Sequence, residues 1–164
     1  MENHSTTEIM TDTEQYLTFI LAGEEYGVDI LRVQEIKGWD SVTTIPNTPD
    51  FIKGVINIRG TIVPIVDLRM RFNMDSIDYS VTTVVIVLRV NGDNGERTMG
   101  IVVDAVSDVY NVSQEEMNPP PDFGDIDVKF LNGLATVNEK MVIILDIDKL
   151  LNSALVDEIN QVNG

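Results

Sequence analysis

FIKGVINIRGTIVPIVDLRMRF, residues 51–72, lies without a gap over FLNGLATVNEKMVIILDIDKLL, residues 130–151, and this match decides the fold. Phe51 meets Phe130, Gly54 meets Gly133 and Asp67 meets Asp146. The apolar positions 52, 55, 58, 62, 63, 65, 66 and 68 meet apolar 131, 134, 137, 141, 142, 144, 145 and 147. A fainter match in the same order sets YGVDILRVQEI (26–36) over MGIVVDAVSDV (99–109), with Gly27, Val33 and Glu35 on Gly100, Val106 and Asp108. One small unit of roughly 70 residues therefore occurs twice, with a seam near residues 73–82.

The unit is mainly β. Runs such as YLTFIL, GVINIR, TIVPIV, TTVVIVLRV, RTMGIVV and MVIIL are short, rich in Val, Ile and Thr, and bounded by turn signals such as AGEE and NGDNG. So few strands per copy predict two small barrels, because closure removes exposed edges. Each copy alone is marginal in size, so the two are expected to pack around a shared core, an arrangement that leaves room for strands to be exchanged between them. Residues 1–14 read as a loose tail and 15–152 as one domain, its two subdomains spanning about 15–80 and 81–152. A final helix or tail over 153–164 could place Leu155, Ile159 and Val162 on one face. Ser113 with Glu116 suggests a capping box on a short turn that Pro119, Pro120 and Pro121 stop. Asp67 and Asp146 each follow an apolar strand and are expected to be N-caps, with a catalytic carboxylate pair as the lesser alternative.

Composition excludes several functions. There is no cysteine, hence no disulfide or thiolate metal site, and the one histidine, His4, lies in the polar tail. A histidine-based triad, a zinc site and the usual neutral-pH base are absent with it. GVINIRG and GDNGERTMG lack the phosphate-loop ending and the dinucleotide spacing. No catalytic constellation, cofactor site or metal site is expected. The start MENHSTTEIM is not a secretory signal, and the longest apolar runs fall far short of the roughly 18 to 20 residues that cross a bilayer. A soluble cytoplasmic protein is the expectation. A formal net charge of −16 opposes binding to phosphate backbones and anionic lipids, which argues against nucleic acid and direct membrane insertion. A barrel that binds an oligonucleotide or a small ligand is the alternative. Against it, aromatic residues are only 6%, and Trp39 reads as the anchor of a strand end.

The copies differ in charge. Four of the eleven Lys and Arg residues (Lys53, Arg59, Arg69, Arg71) fall in the first copy's 51–72. At the turn, Arg59-Gly60-Thr61 stands where the second copy has Asn138-Glu139-Lys140, and Arg69 and Arg71 stand on Asp148 and Leu150. Spacing leaves two readings of Arg59 open: an ion pair with a carboxylate such as Glu35, or contact with a partner.

Residues 33–72, with FIKGVINIRGTIVPIVDLR at their centre, closely resemble the CheW-like domain family of bacterial chemotaxis coupling proteins. The similarity runs over nearly the whole chain. It implies two five-stranded SH3/OB-like β-barrels around a shared hydrophobic core, short helices, and no catalytic activity. It also implies an adaptor that links methyl-accepting chemoreceptors to the regulatory domain of the histidine kinase CheA, in arrays reached at the inner membrane through partners. Carried over by position, Val33, Glu35, Lys53, Gly54, Ile58, Arg59 and Gly60 would face the receptor's helical hairpin tip, with Arg59 paired to Glu35. Kinase-contact residues are left unassigned.

Overall fold

The computed structural model describes residues 13–121 and 128–153. Strands β1 (Thr13–Leu21) and β2 (Glu24–Asp29) form a hairpin, and a 3₁₀ turn (Ile30–Arg32) leads into β3 (Val33–Gly38). A second hairpin, β4 (Ile52–Ile58) and β5 (Thr61–Asp67), ends in the one-turn helix α1 (Leu68–Arg71). The next hairpin, β6 (Val84–Gly92) and β7 (Gly95–Val103), is followed by β8 (Ala105–Ser113), a 3₁₀ turn (Gln114–Glu116) and β9 (Met117–Asn118). Strands β10 (Leu131–Val137) and β11 (Lys140–Leu145) form the last hairpin, and helix α2 covers the described residues 147–153. The final helix expected beyond Ser153 lies outside the described residues.

The strands form two sheets, ordered β8-β1-β2-β11-β10-β9 and β3-β6-β7-β5-β4. The orders β8-β1-β2-β11-β10 and β3-β6-β7-β5-β4 are the same arrangement, each with one parallel pair at its middle. The internal repeat is visible in hydrogen bonds. Ile65 pairs with Gly100 in one parallel ladder and Ile144 with Gly27 in the other. The register slips by one residue at Ile52/Gly54 and again at Leu131/Gly133. The Asp67 amide donates to Phe51 O at 2.7 Å, and the Asp146 amide to Phe130 O at 2.8 Å.

A large apolar core joins the sheets, with Phe19, Leu21 and Val28 from one meeting Ile86, Leu88, Met99 and Ile101 from the other, sealed by Leu68, Leu150 and Leu151. Each sheet also curls around a smaller cluster of its own: Tyr16, Val112, Ala135 and Val142 in one, Val63, Ile65, Val85 and Val102 in the other. Central strands thus bury both faces, which is why they read as near-continuous apolar runs.

The sheets do not close into the two barrels that the sequence predicts. Among the described residues no ladder joins β3 to β4, or β8 to β9, so both sheets stay open. In the first case the outer edge of β4 is taken at Val55 by Thr43, from the connection between the two strands. In the second, β9 is two residues long and runs into three prolines, which have no N–H with which to extend a ladder.

Asp67 and Asp146 are the N-caps the sequence suggested, accepting from the amides of Met70 (3.2 Å) and Lys149 (3.1 Å). Glu116 accepts from both the amide and the hydroxyl of Ser113, at 2.9 and 3.1 Å. Trp39 does end a strand: its amide donates to Thr83 O at 3.1 Å and its ring meets Tyr79 edge-on at 4.5 Å.

Candidate docking edge

The turn between β4 and β5 is a two-residue hairpin turn in which Arg59 (φ 50°) and Gly60 (φ 88°) both have positive φ, as do Asn138 and Glu139 at the matching turn. This is the geometry whose twist suits a tight hairpin, and it favours Gly and Asn. Asn57 supports it by accepting from the Gly60 amide at 2.8 Å. An arginine at this φ is uncommon. It projects from the tip, and its Nη2 donates to Glu35 Oε2 at 2.7 Å.

The pair has a topological meaning. β3 and β4 are the two ends of an open sheet, so the curl brings their edges near each other without zipping them. Arg59, at the end of β4, reaches Glu35 on β3 across that seam. Beside it lies a depression lined by Lys37, Trp39, Val42, Thr43, Ile56 and Asn57. Glu35 is shielded at 24% side-chain exposure, whereas Arg59 remains 76% exposed, so the guanidinium is held at one end and still open to solvent.

The other sequence-selected residues divide between presenting a surface and shaping it. Val33 starts β3 opposite Leu88 and packs on the main core, and the register slips before Glu35 meets Val87. Ile58 is buried, so it sets where the turn begins. Gly54 has φ 145°, and a Cβ there would stand 2.2 Å from Thr43 O; its place is structural. Lys53 sits near the far end of β4, six residues from Arg59 or about 20 Å along a strand, with Nζ 5.9 Å from the Tyr79 ring centre. Glu35, Arg59 and Gly60 therefore come together, and Lys53 and Gly54 stand apart from them.

Charge clustering in the sequence overstated the basic edge. Arg69 makes a bidentate pair with Asp104, at 2.9 and 2.8 Å. Arg71 lies between the repeat-related rings of Phe51 and Phe130, at 5.1 and 5.0 Å, where its planar guanidinium fits the seam between the sheets. A second bidentate pair, Arg32 with Asp148 at 3.0 and 2.8 Å, was not anticipated. The sequence carried a signal for it, since positions 69 and 148 are repeat-related and bear opposite charges. Asp104 feels desolvation, which raises its pKa, but the hydrogen bonds from Arg69 and the Ala22 amide prevail and hold it below the usual carboxylate range.

The fold is thus two open sheets on a shared core, with an exposed arginine stapled across one seam. Residues 15–155 match the CheW-like domain model, and the chain belongs to that family of chemotaxis coupling and scaffold proteins. It is 51% identical over 150 residues to the chemotaxis protein CheW of Klebsiella aerogenes, covering 89% of this chain and 88% of the relative. It is 34% identical to the CheW of Rhizobium meliloti, covering 88% and 96%. The crystal structure of the scaffolding protein TtCheW from Thermoanaerobacter tengcongensis superposes with a TM-score of 0.76 at 37% identity, covering 84% of this chain and 91% of that one. None of these relatives supports the oligonucleotide or small-ligand alternative. No helix among the described residues is long and apolar enough to cross a membrane.

Proposed function

We propose that this protein is a non-catalytic adaptor that couples methyl-accepting chemoreceptors to the regulatory domain of the histidine kinase CheA. It does so in the cytoplasm, at arrays held to the inner membrane by its partners. Family membership supports the coupling role, and the Arg59–Glu35 staple carries the assignment of the receptor-facing edge. An arginine in a backbone conformation better suited to Asn, fixed by one carboxylate and still largely exposed, fits contact with a partner better than it fits stability. The receptor's hairpin tip docks along this edge, with Val33, Glu35, Arg59 and Gly60 nearest to it and Lys53, Gly54 and Ile58 shaping β4 behind. A net charge of −16 adds long-range repulsion toward nucleic acid and so favours protein partners. Many modest interfaces then act together through array multivalency.

The test is reconstitution of receptor signalling fragments and kinase with and without this protein, reading co-sedimentation and kinase phosphorylation together. Both should rise only in its presence. Binding to neither partner would sink the adaptor reading.

A further inference from the structure

We infer that Asp148, acting through Arg32, is a positioning residue for β3, so that helix α2 fixes the edge at which the receptor docks; this rests on the function proposed above. β3 is a terminal strand, paired among the described residues with β6 alone. The 3₁₀ turn that feeds it, Ile30–Arg32, contains no fully buried residue, and at this entry Ile30 and Val33 are only partly buried against the main core. Polar contacts add to that hold. Arg32 grips Asp148 with both Nη atoms and donates to Arg89 O at 3.1 Å, while Arg89 Nη2 donates back to Leu31 O at 2.6 Å. Asp148 Oδ1 also accepts from the Asn91 amide at 2.8 Å. One carboxylate thus ties the entry of β3 to the end of β6, the strand β3 pairs with.

The register of that pairing matters for Glu35. β3 carries one extra residue between Val33 and Glu35, and such a bulge re-aims the side chains that follow it. A slip of one residue would turn Glu35 to the other face and away from Arg59. The Arg32 anchor stands immediately before this bulge and holds it in place. The pair Arg69–Asp104, whose arginine stands at the position that matches Asp148 in the repeat, is equally bidentate but ties down the Ala22 turn and the loop at Asp75, not β3. It therefore serves as an internal control of similar chemistry.

Asp148→Asn keeps the volume of the side chain and removes its charge; Asp104→Asn does the same at the control pair. In the full chain, Asp148→Asn is expected to weaken binding of a receptor hairpin-tip fragment about fivefold, within the range seen for remote coupling residues. Amide hydrogen exchange across 33–38 is expected to speed up in the same variant. Asp104→Asn should lower the melting temperature comparably and leave both readouts unchanged. Arg32→Ala combined with Asp148→Asn should be no worse than either alone. Wild-type binding by Asp148→Asn, or equal weakening by Asp104→Asn, overturns the positioning role and leaves the adaptor reading intact. If the wild type itself fails to bind, the adaptor reading falls, and unchanged exchange in β3 would separately overturn the anchor.

Discussion

Arg59 occupies a conformation that costs an ordinary side chain about 1 to 3 kcal/mol, and the repeat-related turn has Asn138 there. Exposed ion pairs contribute only about 0 to 1 kcal/mol, so Glu35 does not clearly offset that strain. Arg59→Asn is therefore expected to leave stability unchanged or raise it by up to about 1 kcal/mol in urea unfolding. Marked destabilisation would make Arg59 a structural residue. Gly54 is the opposite case. With φ 145° and a carbonyl oxygen 2.2 Å from the position of a Cβ, Gly54→Ala should cost more than about 2 kcal/mol in the same measurement. A near-neutral result would mean that Thr43 gives way easily.

Hairpins were the elements most legible in the sequence, because a two-residue turn, alternating apolar positions and an Asp cap are all local. Phe51, Gly54 and Asp67 announced theirs in register with Phe130, Gly133 and Asp146. Closure was not legible. Whether β3 meets β4 depends on Thr43, twelve residues back from its bridge partner Val55, and no periodicity within either strand records it. Loop 73–82 also looked like a mere seam, yet Tyr79 in it donates a hydrogen bond to buried Asp67, packs on Trp39 and lies beneath Lys53. Burial, then that hydrogen bond, pushes the Tyr79 pKa up and keeps its hydroxyl protonated. Tyr79→Phe should cost about 1 to 3 kcal/mol, since Asp67 is only 4% exposed and would lose a partner. A change below a few tenths of a kcal/mol, by urea unfolding, would show that water replaces the hydroxyl.

Across the whole molecule, the pairs that reach farthest along the chain were the hardest to foresee. Arg69 with Asp104, Arg32 with Asp148, and Arg71 between Phe51 and Phe130 all link segments distant in sequence. The basic cluster in residues 51–72 was real in the chain, but the fold spends Arg69 and Arg71 inside and leaves Arg59 outside. Asp104 gives these links a pH signature. Its folded pKa lies below the ordinary value of 3.8, so as pH falls past 3.8 the unfolded chain takes up the proton first. The Arg69–Asp104 contribution is thus complete at neutral pH and is lost as pH drops through the lower folded value. Asp104→Asn should flatten that part of the acid limb of a stability–pH profile. An unchanged limb would show that other carboxylates dominate it.

The central claim, an adaptor whose receptor edge is the Arg59 seam, is tested most directly by comparing wild type and Arg59→Asn in the reconstituted receptor–kinase system. The expected result is a folded variant that still binds the kinase and no longer recruits it to receptor fragments, with phosphorylation at the receptor-free level. Full recruitment and activation by Arg59→Asn would contradict the account and place the receptor elsewhere on the molecule.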